Sequence, residues 1–89
     1  MTLYLYATKN KKSGNFGKPS GEIYEPEQAK AFYNISVKET PKEQAKLMCE
    51  LELYYLGTLD TETGIITNKV EFLMDLGACY EQGTSSEVE

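Results

Sequence analysis

The sequence predicts an α+β domain, a small antiparallel sheet of three or four strands with one or two helices packed on one face. Three observations support this prediction. Alternating apolar residues, typical of half-buried strands, occur at the start of the chain and again beyond residue 49. Helix-start signals lie between these two regions. A turn sequence divides the second region into a hairpin. The 89 residues suffice for one domain, which we place at residues 1–80.

The chain is predicted to begin with a short strand and a long polar connection. Residues 3–7 (LYLYA) are rich in strand-forming residue types and place Tyr4 and Tyr6 on one face. Residues 8–21 contain three glycines and one proline among polar residues, so we predict a mobile basic loop there. Residues 23–24 are predicted to form a brief second strand.

Two helices are predicted in the middle of the chain. Pro26 is a good first helical residue, and we expect a helix of about nine or ten residues after it. Its apolar side is formed by Ala29, Phe32 and Tyr33. The sequence TPKE at residues 40–43 has the form of a capping box, which predicts a second helix from Pro41 to about Met48.

The strongest local prediction is a hairpin made of residues 49–59 and 65–67. Asp60 opens the turn between them, and Gly64 supplies the positive φ that such a turn requires. Residues 69–77 fit both a strand and a helix that ends at a glycine, and we favour a strand that continues the sheet.

The composition argues against an enzyme. The chain contains no His, Trp or Arg, and therefore lacks the usual general base near neutral pH and every guanidinium anion clamp. Cys49 and Cys79 do not have the spacing of a zinc site or a dithiol motif. Two buried thiols are the favoured interpretation, and a disulfide between Cys49 and Cys79 is the alternative. We expect no catalytic residues, no metal and no cofactor.

The ends of the chain differ in charge and in expected order. Residues 1–21 contain four lysines and no acidic residue, whereas residues 22–89 contain five lysines and fourteen acidic residues, a net charge of −9. Residues 81–89 are polar and acidic and predict a disordered tail. The chain has neither a membrane-spanning apolar run nor a signal-peptide pattern at its start, so we expect a cytoplasmic protein that does not contact a membrane.

The basic loop is the best candidate binding site in the sequence. Single-stranded nucleic acid is bound by cations that follow its phosphates and by flat rings that stack on its bases. Lysines without arginine predict little sequence specificity. A solvated loop beside half-buried sheet tyrosines stays open as the alternative. The predicted DNA-binding residues are Lys9, Lys11, Lys12, Phe16, Lys18, Tyr4 and Tyr6.

The chain also resembles a viral protein family. The segments LYLYATKNKKSGNFG, EPEQAKAFYNIS and LYYLGTLDTETGIITNKVEFLMDLG are similar to the small nonstructural DNA-binding protein of gokushovirus-type microviruses, which are single-stranded DNA phages. The likeness is strongest over residues 53–77. The helix at residues 41–48 departs from it, since that family has a short His-Pro-Glu-Asp-like connection there. The resemblance implies non-catalytic binding of single-stranded DNA during phage replication or packaging, in the host bacterial cytoplasm.

A function of a different class stays open beside DNA binding. The acidic body would suit a protein-binding module, such as a phage-encoded inhibitor of a host nucleic-acid enzyme, whose partner is a host or phage protein. A chain this short gains little net stability from a single core. We therefore also expect a homodimer, formed through a sheet edge or an apolar helix face.

Overall fold

The computed structural model describes residues 1–78 and consists of a four-stranded antiparallel sheet with two helices. The strand order across the sheet is β2-β1-β3-β4, and every neighbouring pair is antiparallel. The predicted α+β class is therefore confirmed. In chain order the elements are β1 (Thr2–Asn10), β2 (Ser20–Glu22), α1 (Pro26–Glu39), α2 (Lys42–Met48), β3 (Leu51–Asp60) and β4 (Ile66–Asp75).

The predicted loop at residues 8–21 is shorter in the structure, and its bounds were wrong at both ends. Residues 8–10 belong to β1 because they pair with residues 51–53 of β3, and this pairing outweighs their polar composition. β2 begins at Ser20 and pairs with β1. Within the remaining connection, Gly14 has a φ of +74° and its N–H donates to the carbonyl of Asn10 at 2.8 Å.

The helices occur where the sequence predicts them, but α1 is longer than expected. It has 14 residues because its apolar side continues to Val37, which is fully buried. At its start, the Glu25 N–H donates to the side-chain oxygen of Gln28 at 3.3 Å. α2 agrees with the predicted range. No helix within residues 1–78 has the length and hydropathy required to cross a bilayer.

The β3–β4 hairpin is confirmed, and its turn is formed as the residue types predict. The Asp60 carboxylate accepts a hydrogen bond of 2.9 Å from the Glu62 N–H, and Gly64 has a φ of +76°. The ambiguous residues 69–77 are strand as far as Asp75, after which a helical turn begins. The predicted acidic tail and Cys79 lie outside the described residues.

One face of the sheet forms the core. Three of its buried residues are Tyr6, Leu53 and Tyr55, which cluster with Ala29 and Val37 of α1. The Tyr6 hydroxyl donates to the carbonyl of Tyr24 at 2.7 Å, so the buried phenol has a partner. We name this the covered face. The opposite face, named the open face, has none of the residues of this cluster.

Candidate nucleic-acid interface

Three aromatic side chains form a row across the open face. Phe16 belongs to the β1–β2 connection, Tyr54 to β3 and Phe72 to β4. The ring centroids of Phe16 and Tyr54 are 5.1 Å apart, and those of Tyr54 and Phe72 are 5.7 Å apart. Both pairs are edge-to-face, the favourable arrangement of two ring quadrupoles. We refer to these three residues as the aromatic row.

The strand register explains why these rings meet. Ala7 of β1 pairs with Tyr54, and Tyr54 pairs with Phe72. Residues directly opposite each other in an antiparallel sheet share a face. Lys9 follows Ala7 by two residues and is therefore on the same face, where a β-bridge pairs it with Phe16. The row consequently extends from the β1–β2 connection across β1 and β3 to β4.

Lys9 places a positive charge beside the aromatic row. Its Nζ is 5.6 Å from the centroid of Phe16 and 5.5 Å from that of Tyr54, within cation–π range of both. The ion pairs of residues 1–78 do not include Lys9. Its charge is therefore available to an anion that approaches the rings.

Two of the four predicted cations are instead neutralised by carboxylates. The Lys11 Nζ donates to Asp75 Oδ1 at 2.7 Å and to the carbonyl of Cys49 at 3.1 Å. The hydrogen bond between the two side chains raises the pKa of Lys11 and lowers the pKa of Asp75. The Lys12 Nζ is 2.6 Å from Glu50 Oε1, and this hydrogen bond raises the pKa of Lys12. Both lysines therefore hold the connection against the rest of the domain.

The positive charge on the open face is accordingly smaller than the sequence suggests. Lys18 is exposed and takes part in none of the ion pairs found in the described chain. Glu52 pairs with Lys9 in the strand register and so adds a negative charge to the same face. The site is therefore a row of rings with Lys9 beside it, and Lys18 is a second exposed cation on the connection that contains Phe16.

Tyr4 and Tyr6 lie on the covered face, so grouping them with Phe16 was wrong. Tyr6 is 1% exposed, and burial raises the pKa of its hydroxyl. Tyr4 is half-buried, with its ring centroid 6.5 Å from that of Tyr55. Because α1 packs on the face that contains these tyrosines, neither of them shares a surface with Phe16.

Tyr54 and Phe72 were absent from the predicted site, although a signal for Tyr54 was present. The alternation in β3 places Tyr54 with Glu50 and Glu52 on the side expected to face water. A tyrosine on such a side is a candidate contact residue. Phe72 gave no equivalent signal, because the strand character of its segment was itself ambiguous.

The covered face has a cleft of different chemistry near the start of α1. Its volume is about 430 Å³. Three glutamates and one lysine give it a negative character that is unsuited to a polyanion. Its lining residues are Tyr4, Glu25, Pro26, Glu27, Gln28, Tyr55, Lys69 and Glu71. No three His, Cys, Asp or Glu side chains within residues 1–78 are placed to hold a metal ion.

Comparisons with known proteins identify no relative. No protein-family model matches this chain, and neither a curated protein nor a solved structure is significantly similar to it.

Proposed function

We propose that this protein binds single-stranded nucleic acid on its open face without catalysing a reaction. The aromatic row stacks on bases, and Lys9 and Lys18 contact phosphates. The observation that supports this most directly is the row itself, three rings in edge-to-face contact with a lysine ammonium beside two of them.

The exposure of the rings favours an unpaired strand as the ligand. Phe16 is 44% exposed and Phe72 is 50% exposed, so both present ring surface to solvent. Each base stacked on such a ring contributes about 1–3 kcal/mol, and a duplex hides the base surfaces that stack. With two available lysines and no arginine in the chain, the contacts discriminate little between sequences.

The resemblance of the sequence to the small microvirus protein implies DNA as the ligand. On this proposal the protein acts on single-stranded DNA during phage replication or packaging in the host bacterial cytoplasm. The acidic protein-binding module remains the second candidate, supported by the cleft with three glutamates on the covered face. Its ligand would be a basic segment of a host or phage protein.

Two phenylalanines allow a matched test of the open face. Phe72 and Phe32 are 50% and 51% exposed, and each makes one edge-to-face contact with a tyrosine, but Phe32 lies on α1. In titrations of labelled oligothymidylate at about 50 mM salt, Phe72→Ala should weaken binding by about 1–3 kcal/mol. Phe32→Ala should leave binding unchanged.

Two results would contradict the proposal. Equal losses in the two variants would show that the open face is not the contact surface. If the parent protein binds neither single-stranded nor duplex oligonucleotides at this salt concentration, nucleic-acid binding is rejected and the protein-binding module is favoured.

A further inference from the structure

The two edges of the sheet differ in length and in exposure. β2 forms one edge and has three residues, whereas β4 forms the other and has ten. Residues 66–72 of β4 are exposed, and no strand of the described chain pairs with the outer side of β4. The outward N–H and C=O groups of an edge strand can pair with another strand.

β4 is neither short nor interrupted by proline, two features that commonly prevent edge pairing, but it carries Lys69 and its register with β3 shifts at two points. Within its exposed stretch the two charged residues, Lys69 and Glu71, have opposite sign and lie on either side of Val70. Both charged side chains line the cleft on the covered face. Within the chain their charged atoms are 3.8 Å apart, with the side chains 71% and 51% exposed, so the pair is open to a second partner.

We propose that β4 pairs antiparallel with β4 of a second copy of this chain, centred on Val70. Lys69 then lies opposite Glu71 of the second copy, and Glu71 lies opposite its Lys69, which gives two ion pairs on the covered face. Val70, which is 67% exposed in the single chain, packs against its own copy on the open face.

Charge selects this register over its neighbours. A change of register that keeps each side chain on its own face moves one strand along the other by two residues, because the side-chain period of a strand is two. Centring the pair on Lys69 places the two copies of Lys69 opposite each other. Centring it on Glu71 does the same for the two copies of Glu71. Both alternatives put like charges opposite, which is destabilising.

The dimer has a consequence for the open face. Two antiparallel edge strands in one sheet are related by a two-fold axis perpendicular to that sheet. The eight strands therefore form a continuous sheet with both aromatic rows on the same side. The pairing itself requires no nucleic acid, so a test of the dimer does not depend on the function proposed above.

The test is the mass of the full chain in solution without nucleic acid. Sedimentation equilibrium from about 1 µM to about 1 mM should show a species with twice the 10.0 kDa mass of the chain. Lys69→Glu and Glu71→Lys should each raise the dissociation constant about tenfold or more, because each turns two attractive pairs into repulsive ones. The double variant Lys69→Glu/Glu71→Lys should restore the parent value. Lys42→Glu on α2 makes the same charge change away from β4 and should have no effect.

Three outcomes would overturn the proposal. One is a 10.0 kDa species throughout the concentration range. Another is a dissociation constant that neither single substitution changes. A double variant that does not restore the parent dissociation constant would count equally against the proposal. The third is slow hydrogen exchange at the outward amides of residues 66–72 in a monomeric protein, which would show that the chain covers its own edge.

Discussion

The two faces of the sheet use similar residues for different purposes. Tyr54 and Tyr55 are neighbours on β3, yet Tyr55 is 8% exposed in the core while Tyr54 is half-buried in the aromatic row. On the covered face α1 packs against the rings, and on the open face the rings contact one another. Whether an aromatic residue stabilises the fold or stays available for a ligand therefore depends on where the helix packs.

The largest expected effect comes from truncating each tyrosine of this neighbouring pair. Tyr55→Ala should lower the free energy of unfolding by about 3–5 kcal/mol, because it leaves a cavity in the core. Tyr54→Ala should cost less, about 1–3 kcal/mol, because each of its two edge-to-face contacts contributes about 0.5–1.5 kcal/mol. Urea denaturation followed by circular dichroism measures both losses. Similar losses in the two variants would show that the open face is as important to stability as the covered face.

A smaller effect is expected from substitution of Gly57, which follows these tyrosines on β3. The pairing of β3 shifts between Tyr55 and Gly57. Gly57 has a φ of +131°, and a Cβ there would collide with the Thr67 carbonyl oxygen. Gly57→Ala should therefore cost about 2–3 kcal/mol and disturb both faces.

Gly64 in the hairpin turn is the matched control for this substitution. Its φ of +76° is also unfavourable for other residues, but a Cβ there would meet no atom within 4 Å. Gly64→Ala should accordingly cost only about 1 kcal/mol, from the backbone conformation alone. Thermal melting of the two variants distinguishes collision from conformational strain. A larger loss of stability in Gly64→Ala than in Gly57→Ala would contradict the predicted collision with the Thr67 carbonyl oxygen.

The smallest expected effect concerns the lysines and tests which charges the open face offers. With Lys9 and Lys18 as phosphate contacts, log K for single-stranded DNA should fall with log salt at a slope of about −1.4. Lys9→Ala should flatten this slope by about 0.7. Lys12→Ala should change it much less, since Lys12 is paired with Glu50. Titrations at several salt concentrations measure the slopes. A slope near −3 would mean that Lys11 and Lys12 also leave their carboxylates and contact phosphates.

The sequence by itself determined the elements that depend on neighbouring residues. The turn at Asp60 and Gly64, the start of α2 after Pro41, and the α+β class follow from turn chemistry, helix-start signals and hydrophobic periodicity. These signals act over a few residues, and distant contacts did not override them. The length of α1 and the end of β1 were underestimated because burial of Val37 and pairing with β3 extend them beyond their local signals.

Only the tertiary structure decided which residues form the candidate site. The ion pair between Lys11 and Asp75 joins residues 64 positions apart, so no local pattern could predict that a carboxylate neutralises this lysine. The β1–β3 register and the packing of α1 placed Tyr6 in the core and Tyr54 on the open face. The physical reason is that strand pairing and helix packing are long-range choices. They assign each side chain of an alternating strand to one of two faces, and alternation alone does not say which face the helix covers.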